Sequence, residues 1–221
     1  MRDAQDEPHP GLRERKKEQT RRSIAETARQ LFAQRGFEQV TVAEVARAAD
    51  VSQQTVFNYF PTKEDLVFWR LGAFEDDLLT TVRDRAPGES ALAAFRRFVL
   101  GQGGLLRSSQ PGAREQLAAV TRTIEESPSL LAREQQIFAG YTDALATLLA
   151  EETAADAGDL EPWVAANAMM GVHRALVRHA RRRVRDGARH PALAEEIRAS
   201  GEQAFALLEG GLGSYAVRSP G

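Results

Sequence analysis

Apolar residues in the first third of the chain recur every three or four positions, interrupted by short polar stretches. Ile24, Ala28, Leu31 and Phe32 form one stripe, Val42, Val45, Ala46 and Ala49 a second, and Val56, Tyr59 and Phe60 a third. That period marks helices with one buried face. The first stripe predicts a helix from about Thr20 to Arg35. Gly36 ends it in a left-handed cap, after which Phe37 folds back on Phe32. Thr41 and Glu44 make a capping box at the second start, and Ser52 caps the third. Only Asp50 and Val51 are left for the turn, so the last two helices cross steeply with Val51 in the elbow, a helix-turn-helix.

Further on, the prolines punctuate. Pro61 stops the third helix and Thr62 caps a fourth, expected to run from Lys63 through Trp69, Phe74 and Leu78 to about Arg83. Ser127-Pro128 and Glu161-Pro162 read as helix starts with proline in the first turn. The remaining segments are roughly 89–107, 112–126, 128–152, 161–186 and 191–210. Strand-like alternation is scarce, so the expected fold is all-α with about nine helices: a small N-terminal helix-turn-helix domain and a larger helical C-terminal domain.

Chemistry enters at the outward face of the third helix. Gln53, Gln54, Thr55, Phe57 and Asn58 lie in its first two turns, with no acid among them. Gln and Asn pair bidentately with adenine edges, Thr serves phosphate or base, and an aromatic edge meets a thymine methyl. A solvated helix face would also look polar, and spacing alone does not separate the two readings. The stretch ARQLFAQRGFEQVTVAEVARAADVSQQTVFNYFPTKEDLV, and FNYF followed by PTKEDL above all, closely resembles the N-terminal domain of the TetR/AcrR family of transcriptional regulators. The resemblance covers about residues 20–70 without a gap. It departs at Gln54, where the family often has glycine, and at Asn58, where it often has histidine. Both lie on the reading face and bear on the operator sequence.

The resemblance implies a partner and a layout. Gln53, Gln54, Thr55, Phe57 and Asn58 would read bases of a double-stranded operator arranged as an inverted repeat, while Arg21, Thr41, Tyr59 and Lys63 would hold phosphates. The expected domains are a disordered and basic arm (1–19), the DNA-binding domain (20–66), a ligand-binding and dimerisation domain (67–213) and a tail (214–221). A homodimer would pair segments 161–186 and 191–210 with their mates, the second through Leu193, Ile197, Ala204, Phe205 and Leu208. A small-molecule inducer, with acyl-CoA-like molecules among the candidates, would sit among Trp69, Phe74, Phe98, Phe138, Tyr141, Asn167, Met170 and His173. The competing reading is a ligand-independent or architectural DNA binder whose C-terminal domain is packed solid.

Charge and composition narrow the alternatives. Residues 12–70 carry eleven Lys and Arg against eight Asp and Glu, whereas residues 71–221 carry seventeen against twenty. A mildly basic head on a mildly acidic body fits the division, without arguing DNA binding alone. From Leu12, Arg13, Arg15, Lys16, Lys17, Arg21 and Arg22 face only Glu14 and Glu18, an arm suited to phosphates. The run from Arg174 to Arg189 reads as a solvated helix end near the negative pole of the helix dipole, or as a seat for a phosphate-bearing ligand. Cysteine is absent, and His9, His173, His179 and His190 share no metal-ligand spacing. No phosphate loop, nucleophile elbow or paired-carboxylate motif is present, so no enzyme, cofactor or metal is expected. Neither a 20-residue apolar run nor a signal-peptide pattern occurs, and the expected location is the cytoplasm.

Overall fold

The computed structural model describes residues 11–101, 112–188, 192–213 and 215–217. Among them every regular element is a helix, beside one isolated antiparallel bridge between Ser90 and Val217. The helices are α1 (Leu12–Arg35), α2 (Val42–Ala48), α3 (Gln53–Tyr59), α4 (Asp65–Phe68), α5 (Leu71–Arg83), α6 (Ala91–Gly101), α7 (Ala113–Glu125), α8 (Pro128–Thr153), α9 (Glu161–Arg185) and α10 (Ala192–Leu212). The chain divides into two units at Trp69 and Arg70. Residues 1–10 of the expected arm lie outside the described residues.

In the first unit α1 starts eight residues before the predicted Thr20, so the basic arm is its opening two turns. Arg, Lys, Glu and Gln are good helix formers, but side chains there from Arg13 to Gln19 are exposed and leave no apolar stripe to read. Gly36 ends the helix at φ 82° and ψ 152°, a region reserved for glycine though not the left-handed helical one expected. Phe37 still folds back, its ring 5.0 Å from that of Phe32 and edge-on. The Thr41 capping box is complete: Glu44 N–H donates to the threonine hydroxyl at 3.2 Å, and Thr41 N–H donates to the Glu44 carboxylate at 2.8 Å. At the corner after α2, Asp50 adopts φ 54° and Val51 N–H reaches back to the Ala46 carbonyl at 2.9 Å. Ser52 then caps α3 by accepting from Thr55 N–H at 3.0 Å.

The predicted fourth helix is two, α4 and α5, interrupted at Trp69 and Arg70, which both keep right-handed dihedrals. In the second unit α9 is the hub, packed against α6, α7, α8 and α10. Its small residues Ala165 and Ala166 are buried, beside Met169 and Met170, against Leu145 and Leu149 of the core. Along α10, Leu193 and Phe205 are buried, and Ile197 and Leu208 pack on the core, so the face expected to meet a second copy is used within the chain. Arg85 is buried and donates to the carbonyls of Val82 (2.6 Å), Glu89 (3.1 Å) and Ala216 (2.7 Å), while its ion pair with Glu152 spans 2.6 Å. Residues 215–217 of the expected tail are thereby fastened to the body.

Glu44 yields a pH test. Its bond from Thr41 N–H, then Arg35 2.8 Å away, hold its carboxyl well below the ordinary 4.5, at about 2. A lowered folded pKa adds stability above the unfolded value and loses it as acid titrates the group. The stability margin of the native protein over Glu44→Gln should therefore be full above pH 4.5 and close towards about pH 2, as read by thermal unfolding. A margin independent of pH would contradict the charged cap.

Candidate functional site

Helix α3 turns one side inward and offers the other. Val56 and the C-cap residue Phe60 are each 1% exposed and anchor it in the unit's core. Gln53, Gln54 and Asn58 are exposed, and Phe57, at 44%, is a large apolar side chain left in the open among amides. Gln54 donates from its side-chain amide to that of Asn58 at 3.1 Å, which orders two of the four. Thr55 sits to the side, half-buried, its hydroxyl 2.8 Å from that of Ser52. A face of amides and one aromatic, free of acids, matches the donor and acceptor pattern of base edges.

Beside this face runs a groove lined by Arg15, Lys17, Arg21 and Arg22 of α1, with Glu14 and Glu18 among them, and by Asn58 and Tyr59 of α3. Arg15, Lys17 and Arg22 belong to the basic arm that the sequence marked out, and the groove brings them beside α3. Arg21 is fixed over the Phe60 ring, 5.7 Å from its centroid, and its Nε is buried without a hydrogen-bond partner among the described residues. The Thr41 side chain is exposed, with its hydroxyl also 2.9 Å from Glu44. Lys63 departs from expectation. Its ammonium turns inward, donating to the Phe37 carbonyl at 2.6 Å and lying 4.0 Å from the Phe37 ring centroid. Desolvation lowers its pKa, and one of its three donors is taken up within the chain.

The second unit holds a cavity of about 280 Å³ between α6, α7, α9 and α10. Of the eight residues expected to line a pocket, only His173 borders it. Phe74, Phe98, Phe138 and Tyr141 instead pack as an aromatic cluster on the other side of that imidazole, Phe74 stacking on His173 at 5.0 Å. Tyr141 donates to the Leu71 carbonyl at 2.5 Å, and burial pushes its phenol pKa up. Met170 is fully buried, Asn167 donates to the Trp163 carbonyl at 2.9 Å, and Trp69 belongs to the first unit. The wall that sequence reasoning missed is α7, through Leu117, Val120, Thr121 and Ile124. Their spacing of three, one and three is that of an inward helix face, so the signal was present.

Part of the basic run of α9 is structural, while Arg174, Arg178 and Arg182 line a surface groove with Phe138 and Leu131 of α8. Arg181 pairs bidentately with Glu134 of α8, Arg183 with Glu196 of α10 at 2.7 Å, and Arg185 with Glu125 of α7 at 3.0 Å. Three arginines thus staple one helix to three neighbours; Arg189 lies outside the described residues. Among the described residues no group of three His, Cys, Asp or Glu could hold a metal, and no helix is long and apolar enough to cross a membrane.

Comparison with known proteins gives matches over both units. Residues 24–68 match the family model for bacterial regulatory proteins of the tetR family, and residues 89–212 match that for the MftR C-terminal domain. The HTH-type transcriptional regulator TcmR of Streptomyces glaucescens is 32% identical over 155 residues, covering 68% of this chain and 67% of that one. The putative mycofactocin biosynthesis transcriptional regulator MftR of Mycobacterium tuberculosis is 26% identical over 179 residues, 78% of this chain and 85% of its own. In fold, the chain resembles the transcriptional regulator FadR from Bacillus subtilis, solved with stearoyl-CoA, at a TM-score of 0.52 and 20% identity, over 85% of this chain and 96% of that one.

The inward Lys63 makes a prediction. Lys63→Met should lower the free energy of unfolding by about 1–2 kcal/mol, the worth of a hydrogen bond from a charged donor plus its ring contact. Urea denaturation measures it, and an unchanged midpoint would remove the internal role.

Proposed function

The chain belongs to the TetR family of bacterial regulatory proteins, and on that footing we propose that it is a homodimeric repressor which leaves an inverted-repeat operator when a small molecule enters its body cavity. The observation that carries this reading is one chain holding both an exposed amide and aromatic face on α3, flanked by cations, and an apolar cavity in the other unit. Gln53, Gln54, Phe57 and Asn58 read base edges in the major groove. Arg21, Arg22, Thr41 and Tyr59 hold the backbone on either side, with Thr55 at the edge between them.

A single seven-residue reading helix covers a few base pairs, so affinity calls for two. Two copies related by a twofold axis place their reading helices about one DNA turn, roughly 34 Å, apart. The surface that supports pairing is the outer face of α9 and α10: Leu160, Trp163, Val164 and Leu207 are all more than half exposed. Large apolar side chains left in water favour a partner that covers them.

The cavity supports control by a ligand over a solidly packed body. A molecule that binds the operator-incompetent arrangement better by about 1–3 kcal/mol lowers operator affinity 5- to 150-fold. FadR from Bacillus subtilis holds stearoyl-CoA, and the apolar wall here suits an acyl chain or a ring system of similar section. The protein acts in the cytoplasm and performs no catalysis.

Two experiments test the assignment. Arg21→Ala should weaken binding to operator and random DNA alike and reduce the slope of log affinity against log salt by about one, whereas Asn58→Ala should cost about 1–3 kcal/mol at particular bases and leave the slope alone. Parallel losses on both DNAs for both variants would break that division of roles. Trp163→Arg should turn the dimer into a monomer in sedimentation and take operator affinity with it; a dimeric Trp163→Arg would place the interface elsewhere.

A further inference from the structure

The cavity wall is apolar except at four side chains, Thr121, His173, Arg181 and Arg198. Two of these are already answered. Arg181 is held by both oxygens of Glu134, and Arg198 lies 3.3 Å from Glu195 and 3.6 Å from Glu202. Among the described residues, the Thr121 hydroxyl and the His173 imidazole make no hydrogen bond. Thr121 is buried at 5% exposure, and His173 is clamped between aromatic walls. Phe74 stacks on its ring at 5.0 Å and Phe138 meets it edge-on at 5.5 Å, so the orientation of the imidazole is fixed before any ligand arrives.

We infer that the cavity takes an uncharged, largely apolar molecule that turns one hydroxyl or carbonyl oxygen towards His173 and Thr121. The inference rests on the reading of the cavity as the ligand site. An anion buried here meets only cations already neutralised by carboxylates, and gives up its water without return. A cation finds no carboxylate among the lining residues to offset its lost water, and burial keeps the His173 ring neutral, its pKa lowered to about 4. A neutral imidazole has one donor and one acceptor, and a hydroxyl has both, so a ligand oxygen satisfies groups that the protein leaves open. Size agrees with a small skeleton. An apolar cavity of about 150 Å³ takes benzene, and about 280 Å³ has room for two fused rings.

The test uses the full chain at neutral pH and three probes of one skeleton: 1-naphthol, naphthalene and 1-naphthoate, titrated calorimetrically. Naphthol should bind about tenfold more tightly than naphthalene, the worth of one net hydrogen bond, and naphthoate more weakly than either. His173→Leu should bring naphthol and naphthalene within about twofold of each other while naphthalene binds as before. Thr121→Val, which keeps the volume and removes only the hydroxyl, should lose about threefold of the preference and reads the same contact should the histidine variant fail to fold. Naphthoate binding as tightly as naphthol, or a naphthol preference that survives in both variants, overturns the inference. Equal affinity of the native protein for naphthol and naphthalene overturns it too but leaves the cavity as a ligand site. No binding by any probe overturns the cavity reading with it.

Discussion

A helix of seven residues has too few internal hydrogen bonds to form alone, and every other feature of the first unit serves to supply α3 with what it lacks. Ser52 accepts from one of its first amides, that of Thr55, while Val56 and Phe60 bury its inner side. The left-handed Asp50 lets the chain reverse between α2 and α3 within four residues. Arg21 covers Phe60 from α1, and Lys63 ties the segment after α3 to Phe37. The outcome is a rigid face of four side chains, none of which the fold itself needs. That freedom suits a surface whose chemistry is set by the DNA it meets.

The second unit solves a different problem through one long helix. The first half of α9 is apolar nearly all round, sinking Met169 and Met170 while leaving Trp163 and Val164 in the open. Its second half is basic and is tied by carboxylates to α7, α8 and α10. Half-buried ion pairs add little net stability, because desolvation offsets most of the attraction, but removing one partner is costly. They tie α9 to three of the helices packed around it. Packing and ion pairing thus divide one helix between an apolar half sunk in the core and a basic half tied to its neighbours.

Much of this could be read from residue order, and the failures have physical causes. The capping box at Thr41, the corner at Asp50 and the amide face of α3 depend on local chemistry, and local chemistry is what sequence displays. The opening turns of α1 were missed because a solvated charged helix has no apolar stripe, and the break near Trp69 because both residues there keep helical dihedrals. The α7 wall of the cavity was missed for a different reason. Aromatics such as Phe74 and Phe138 attract attention as pocket walls, yet they fit one another best and fill space, whereas the branched and small side chains of α7 leave it open. Lys63 shows a contact that residue order did not display: its ammonium has an acceptor within the chain, 26 residues away.

The central claim is that two copies of α3 read DNA together, and selection from a pool of random duplexes by the purified protein, followed by sequencing, tests it most directly. The account predicts enrichment of an inverted repeat whose half-sites are centred about one helical turn apart. It also predicts A·T pairs among the discriminated positions, as the amides of Gln53, Gln54 and Asn58 require. Enrichment of a single unrepeated site, or of no sequence, would contradict it.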